Sequence, residues 1–368
     1  MRRLGAVLLG MFLVLGAVGV APAAASHESS KSSPSATGPY AVGRTTFDVV
    51  DPARAGRTFK VDVWYPSRPR DVVGKPKSVI DLLLAQTPSP LAYDNPVVAP
   101  GRFPLVVFSH GSGGIRFQSW FLMEHLASHG FIVAAPDHTG NTAVDAIFGS
   151  STPFEVSARN RPLDVSLVIT RMLDRGQTET DAFDHHLLRR KIAVMGHSFG
   201  GFTAVAAAAG WADVPADPRV KAIIPIAAAT NPFTDAQLGS VKVPSLWLHG
   251  TSDITVPIAQ TARAWSLQTA SPRYRVDIRQ GGHSSFTNAC DILDVFRSAN
   301  APAGILDFLK QQAAQACGPD LIPIADAQNI TNATTLAFLE VQLLHDDSFK
   351  RYLRNGYLKR FPVDFARG

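Results

Sequence analysis

"VMGHSFGGFT", residues 194–203, sets Ser198 between Gly196 and Gly200, with Gly201 close behind, after an apolar run and ahead of an alanine-rich stretch. A serine needed only for solubility would not require three glycines beside it. Gly196-His197-Ser198-Phe199-Gly200 fits G-x-S-x-G, and its setting gives the match its force. It closes a strand-like run (191–198) and opens a helix-like one (199–210), as a nucleophile elbow requires. Glycine lets such a strained turn form and lets the following helix pack closely on the sheet. The turn would lift Ser198 to a helix N-terminus, where outward-pointing N–H groups favour negative charge. The stretch therefore reads as a presented nucleophile.

Working outward, "RTTFDVVD" (44–51) and "TFKVDVWYP" (58–66) alternate apolar and polar residues, which predicts a half-exposed antiparallel pair. The later runs 103–110, 130–138, 191–198, 220–229 and 243–250 are continuously apolar, and 274–282 reads as a last strand. Continuous apolar strands separated by helix-length stretches (116–129, 161–175, 199–210, 334–344) indicate a parallel sheet covered on both faces. The expected class is α/β: a doubly wound, mostly parallel sheet with an antiparallel N-terminal strand pair. Residues 67–102, rich in proline, read as an irregular connection. Residues 139–160 follow the C-terminal end of a strand, where such sheets bind ligands, so they read either as a pocket wall or as a surface excursion.

Met1-Arg2-Arg3, an apolar run to Val20 and the small residues of "APAAAS" predict a signal peptide over 1–25, cut near Ala25, instead of a membrane anchor. A disordered Ser-rich segment (26–38) and one domain (39–368) would follow, in an exported protein. Without the leader's two arginines, 33 basic residues face 30 acidic ones. That balance, with the basic residues scattered, argues against nucleic-acid binding and against a membrane surface. Cys290 and Cys317 are the only cysteines. In an exported chain they suggest a disulfide, the alternative being two unrelated buried thiols. No CxxC pair points to zinc, and no cofactor or metal is expected.

A serine hydroxyl is a poor nucleophile until a base takes its proton. His283, in "QGGHSSFTN", lies just past the last strand in a glycine-bearing loop and is the expected base. The acid should come between serine and histidine in chain order. Asp253, in "LHGTSDITVP", follows a buried strand, whereas Asp213, Asp217 and Asp235 do not directly follow one. Its bland reading is a turn residue. Two backbone N–H groups usually receive the oxyanion, and those of Phe199 and of Ser112, in "SHGSGG" (109–114), are the candidates. The same loop fails as a phosphate-binding G-x-G-x-x-G because Arg116 takes the last glycine position. Phe117, Trp120, Phe121, Phe148 and Phe154 are the expected pocket walls, with Arg116 near enough to touch an anionic group. No amphipathic lid with an exposed apolar face is evident in the sequence.

"VDVWYPS", "FSHGSGG", "GFIVAAPDHTGNT", "RPLDVSLVI", "GHSFGG", "LHGTSD" and "GGHSSFTNAC" together resemble bacterial α/β-hydrolases of the predicted dienelactone hydrolase kind, related to platelet-activating-factor acetylhydrolase. The resemblance runs from about residue 39 to 300. It implies the α/β-hydrolase fold and cofactor-free serine hydrolysis of carboxylic esters, and the apolar, uncharged pocket walls suggest short to medium acyl groups. Two departures matter. Ser198 stands where dienelactone hydrolases carry cysteine, and Asp253 matches the position used by cutinases and polyester hydrolases, which keeps a lipase, cutinase or polyester-hydrolase alternative open. A non-catalytic binding protein of this fold would lack a triad member, and none is missing. Substrate identity and oligomeric state are not legible in the sequence.

Overall fold

The computed structural model describes residues 33–368; the expected leader and residues 26–32 lie outside the described residues. Eleven strands form one sheet. They are β1 (Ala41–Asp51), β2 (Arg57–Ser67), β3 (Lys77–Asp81), β4 (Gln86–Asp94), β5 (Phe103–Ser109), β6 (Ile132–Pro136), β7 (Leu187–His197), β8 (Ala222–Ile226), β9 (Ser245–Gly250), β10 (Arg273–Ile278) and β11 (Val363–Arg367). Their order is β11-β10-β9-β8-β7-β5-β6-β2-β1-β4-β3. From β10 through β6 every neighbouring pair is parallel. β1 pairs antiparallel with β2 in an unbroken register from Ala41↔Ser67 to Asp51↔Arg57. β2 joins β6 antiparallel, and β11 closes the far edge antiparallel to β10.

The helices are α1 (Trp120–Ser128), α2 (Ala143–Ile147), α3 (Phe154–Arg175), α4 (Phe199–Ala209), α5 (Asp235–Gly239), α6 (Ile258–Leu267), α7 (Ala289–Ser298), α8 (Ala303–Cys317), α9 (Ile324–Leu339) and α10 (Asn355–Leu358). Alternate residues of one strand serve two cores, because successive side chains point to opposite faces. In β5, Val106 and Phe108 pack on the face covered by α1 and α9. Leu105 and Val107 pack on the face covered by α3 and α4. Each such side chain contributes roughly 1.5–3 kcal/mol when fully buried, so a continuously apolar run is stable only where both faces are covered. Among the described residues no helix is long and apolar enough to cross a membrane.

The expectation of an α/β, mostly parallel sheet with an antiparallel N-terminal pair is met. Several boundaries differ. Residues 67–102 are not merely irregular: they hold the β3–β4 hairpin at the sheet's edge, where Pro88 and Pro90 cost little because ladder donors are not needed on both sides. α3 begins at Phe154, directly after Pro153, and carries Pro162 inside it, so the expected start at Arg161 is about two turns late. The expected helix 334–344 is the end of α9 followed by a π-helical turn, Glu340–Leu344. Residues 33–38, read as part of a disordered segment, pack on α1. There Gly38 N–H donates to Ser128 Oγ at 2.9 Å, and the rings of His125 and His129 reach the carbonyls of Pro34 (3.0 Å) and Ala36 (2.8 Å). Cys290 and Cys317 form a disulfide, with 6.3 Å between Cα atoms, that ties α7 to the end of α8.

Candidate active site

Because β5 to β10 run parallel, the loops after β5, β6, β7, β9 and β10 emerge on one edge of the sheet. Ser198 stands between β7 and α4 at φ 58°, ψ −115°. A non-glycine residue in that region stores backbone strain, which persists only where the surroundings over-determine it. Here they do. A Cβ on Gly200 would overlap the carbonyl oxygen of Ser109, and one on Gly196 would overlap that of Gly200. β5, β7 and α4 thus meet at van der Waals distance, and Ser198 N–H is held by the Ile226 carbonyl at 2.8 Å. Ser198 is half-buried amid buried neighbours. Its hydroxyl has no hydrogen-bond partner among the described residues.

The other expected members converge on the same edge. His283 Nδ1 and Asp253 Oδ2 are 2.8 Å apart. Since a carboxylate only accepts, Nδ1 carries the proton and Nε2 is left to accept one. Asp253 Oδ1 takes the N–H groups of Thr255 and Val256, each at 2.8 Å, so the turn after β9 fixes the carboxylate's direction. Burial opposes the Asp253 charge, but the bond from His283 and these N–H donors outweigh it and hold the carboxyl below its ordinary value. His249 approaches Asp253 Oδ2 at 3.4 Å, with Nε2 donating to the Val256 carbonyl (2.9 Å). Asp235, the alternative acid, pairs instead with Arg263 at 2.6 Å.

The loop after β5 carries one of the two oxyanion candidates. In the loop after β5, Gly111 N–H donates to Gln118 Oε1, Gly113 N–H to the Asn141 carbonyl and Gly114 N–H to the Gly111 carbonyl. Ser112 is exposed, and its N–H keeps no partner among the described residues. Its hydroxyl accepts from Asn141 Nδ2 at 3.2 Å. Phe199 is the first residue of α4, so its N–H has no acceptor one turn back.

Three residues were not singled out from sequence. Gln118 accepts from Gly111 N–H at 3.0 Å and its Nε2 donates to His197 Nδ1 at 2.9 Å. His197 Nε2 then donates to the carbonyl of His283 at 2.7 Å. One amide and one imidazole therefore link oxyanion loop, elbow and base loop. Burial, and then the nearby His283, push His197 down to about 3, which keeps it neutral. Arg161, in α3, is wholly buried beneath the oxyanion loop. The only sequence signal for it was a charged pair, Arg161 and Asp164, three apart on a face otherwise continued by Val165 and Val168.

The expected pocket walls are corrected in part. Phe117 is buried in the core, with the guanidinium groups of Arg44 and Arg116 over its ring. Trp120 and Phe121 line a separate cleft of about 500 Å³ with Leu91, Glu124, Asn288 and Val295. Arg116 is not free for an anion, since it binds Asp62 at 2.9 Å and Asp137 at 2.7 Å. Phe154 stacks on Phe199 with ring centroids 5.3 Å apart, beside the elbow. Phe148 is 72% exposed and is flanked by exposed Val144 and Ile147 on α2, while Ile254, next to Asp253, is 81% exposed. The expectation of no exposed apolar face is therefore not met, because a helix of five residues is too short to show its face as a periodic pattern. Among the described residues no group of three or more metal-binding side chains gathers.

A family model described as "Platelet-activating factor acetylhydrolase, isoform II" matches residues 71–161, the oxyanion loop included. The platelet-activating factor acetylhydrolase of Cavia porcellus is 26% identical over 228 residues, 47% of this chain and 51% of that protein. A ferulic acid esterase from Streptomyces cinnamoneus superimposes with a TM-score of 0.66 at 26% identity, covering 88% of this chain and 96% of that one. The chain is an α/β-hydrolase similar to platelet-activating factor acetylhydrolases. Chlorophyllase-1 of Citrus sinensis is also similar, at 32% identity over 119 residues, 32% of each chain. The chain spans about half the length of the acetylhydrolase from Cavia porcellus that it matches.

Proposed function

We infer that this protein is a serine carboxylic-ester hydrolase, with Ser198 as nucleophile, His283 as general base and Asp253 as its orienting acid. The observation that carries the reading is the 2.8 Å His283–Asp253 pair, formed by two separate loops on the edge where the strained Ser198 is presented. His283 Nε2 takes the serine proton as Oγ attacks the ester carbonyl. The N–H groups of Ser112 and Phe199 receive the developing negative charge, and His283 returns the proton to the leaving alcohol. Water then repeats the sequence on the acyl-enzyme. The names of the similar proteins, acetylhydrolase, esterase and chlorophyllase, support ester chemistry. The N-terminal pattern supports export.

Substrates are short to medium acyl esters, held by apolar walls that discriminate weakly, at about 1–3 kcal/mol per methylene. A second reading is favoured by one observation: Phe148 and Ile254 stand exposed in loops of the catalytic edge, a setting suited to polymeric or aggregated esters. A fluorophosphonate probe should label the wild type and not Ser198→Ala, and persistent labelling of the variant would refute the assignment. Comparing kcat/KM for butyrate and palmitate esters separates the two readings. A palmitate preference, with a jump in rate above the solubility limit, would establish the second.

A further inference from the structure

Beneath the oxyanion loop lies a second constellation of serine, histidine and aspartate, all fully buried. Ser109 Oγ is 2.9 Å from His138 Nε2, and His138 Nδ1 is 2.9 Å from Asp164 Oδ2. Asp164 also takes both ends of the Arg57 fork, at 2.9 and 2.8 Å, and lies 2.7 Å from Arg54. Because the carboxylate accepts from Nδ1, Nε2 accepts from the serine hydroxyl. The Ser109 oxygen is then free to accept a further bond, which Arg161 supplies at 3.2 Å. The chain of donors thus ends on one guanidinium.

That guanidinium is held by four hydrogen bonds. Nε donates to Asn141 Oδ1 (3.2 Å), one terminal nitrogen to Ser109 Oγ and to the His110 carbonyl (2.7 Å), and the other to the Gly111 carbonyl (3.0 Å). Its approach to His110 Nδ1 at 3.3 Å is not a further bond. His138 N–H donates to His110 Nε2 at 3.1 Å, so the His110 proton sits on Nδ1 and points at the Gly111 carbonyl, 2.7 Å away. Gly111 O therefore receives Arg161, His110 and Gly114 N–H together.

The peptide plane turns this into a consequence for catalysis. Gly111 C=O and Ser112 N–H belong to one trans peptide and point in opposite directions. Three donors that pull the carbonyl inward leave the N–H aimed outward, and they also polarise the amide toward stronger donation. Arg161 also packs on the side chain of the residue that carries the second candidate donor, its guanidinium carbon lying 4.6 Å from the centroid of the Phe199 ring. We propose that Arg161 is the positioning residue of the oxyanion hole, its fork setting the Gly111–Ser112 peptide while the buried Ser109–His138–Asp164 chain holds the fork in register. This rests on the serine-hydrolase reading above.

Arg161→Lys keeps a positive charge and loses the planar fork. It should lower kcat on p-nitrophenyl butyrate by about 10²-fold, the usual cost of one misplaced oxyanion donor, with KM within about threefold of wild type. Affinity for an alkyl boronic acid, whose serine adduct places an oxygen in the hole, should fall in parallel with kcat/KM. Asn141→Ala, at the rim of the network, is the second variant and decides the matter if Arg161→Lys does not fold by circular dichroism. It should lower kcat by about tenfold with the same boronate signature. A folded Arg161→Lys with kcat within threefold of wild type overturns the proposal, as does a kcat loss in either variant with boronate affinity unchanged. Should Arg161→Lys not fold, wild-type kcat in Asn141→Ala overturns it equally. If wild type neither takes a fluorophosphonate label nor cleaves any ester, the hydrolase reading has failed instead.

Discussion

Two sets of the same three residue types lie in this molecule, Ser198–His283–Asp253 and Ser109–His138–Asp164. In both, an aspartate fixes the histidine proton on Nδ1 at closely similar distances, 2.8 and 2.9 Å. They differ in what surrounds the serine. Ser198 sits in a strained left-handed turn, half-buried, with its hydroxyl unpartnered and free N–H groups nearby. Ser109 ends an extended strand, is fully buried, and has its hydroxyl committed to His138 and Arg161. Catalysis needs uncommitted donors and room for a substrate; rigidity needs every group engaged. The same side chains serve either end according to the backbone that carries them.

The sharpest way to test that contrast is to remove each serine. Ser198→Ala should lower ester turnover by about 10⁴–10⁶ in a folded protein. Ser109→Ala should keep fluorophosphonate labelling and lose less than about tenfold in rate, read from initial rates at saturating p-nitrophenyl butyrate. Equal losses would erase the distinction.

The two aspartates extend it. Asp253→Asn should cost about 10⁴ in kcat with little change in stability, since it disturbs the tautomer of His283. A loss below tenfold would move the acid elsewhere. Asp164→Asn should act the other way round. It leaves Arg57 and Arg54 less than fully paired in a buried setting, and breaking such a pair costs about 3–5 kcal/mol, measurable by urea unfolding. The disulfide is next in size. Reducing Cys290–Cys317 opens a loop with a sequence separation of 27 and should remove about 3–4 kcal/mol, seen as a lower Tm with activity retained at low temperature.

The most gradual effect is that of pH on the buried set. Burial, and after it the charge of Arg161, push His138 from its ordinary 6.5 down to about 4. Between those values the unfolded chain binds more protons than the folded one. Stability is therefore complete above 6.5 and is lost as pH falls toward 4, at up to about 1.4 kcal/mol per unit for each such histidine. His197, at about 3, acts in the same direction. Unfolding free energies that stay flat from pH 7 to 5 would contradict the neutral assignment of both rings.

The central strands were legible because each is a continuous apolar run, and only a sheet covered on both faces produces that pattern. The hairpin in 67–102 was not, since β3 alternates over only five residues and β4 carries Pro88 and Pro90, which read as breaks. α7 and α8 escaped reading although the histidine loop leads into the first of them. Ser198, His283 and Asp253 could each be chosen by its place after a strand and by chain order. Gln118 could not, because a glutamine carries no spacing signal until the loops it joins are folded together, and the spacing of Arg161 from Asp164 does not say which loop the arginine holds.

By itself, then, the sequence determined the sheet, the elbow and the choice of three candidate side chains, all of which follow from local pattern and order along the chain. Which of eleven histidines bind carbonyls and which hold an aspartate, why Phe117 and Arg116 face the core instead of a ligand, and how one buried guanidinium sets a peptide plane were decided by tertiary structure alone. The physical reason is that hydrogen-bond partners are chosen by direction and distance in space, and residues 30 to 91 positions apart acquire those only when the sheet has brought its loops together.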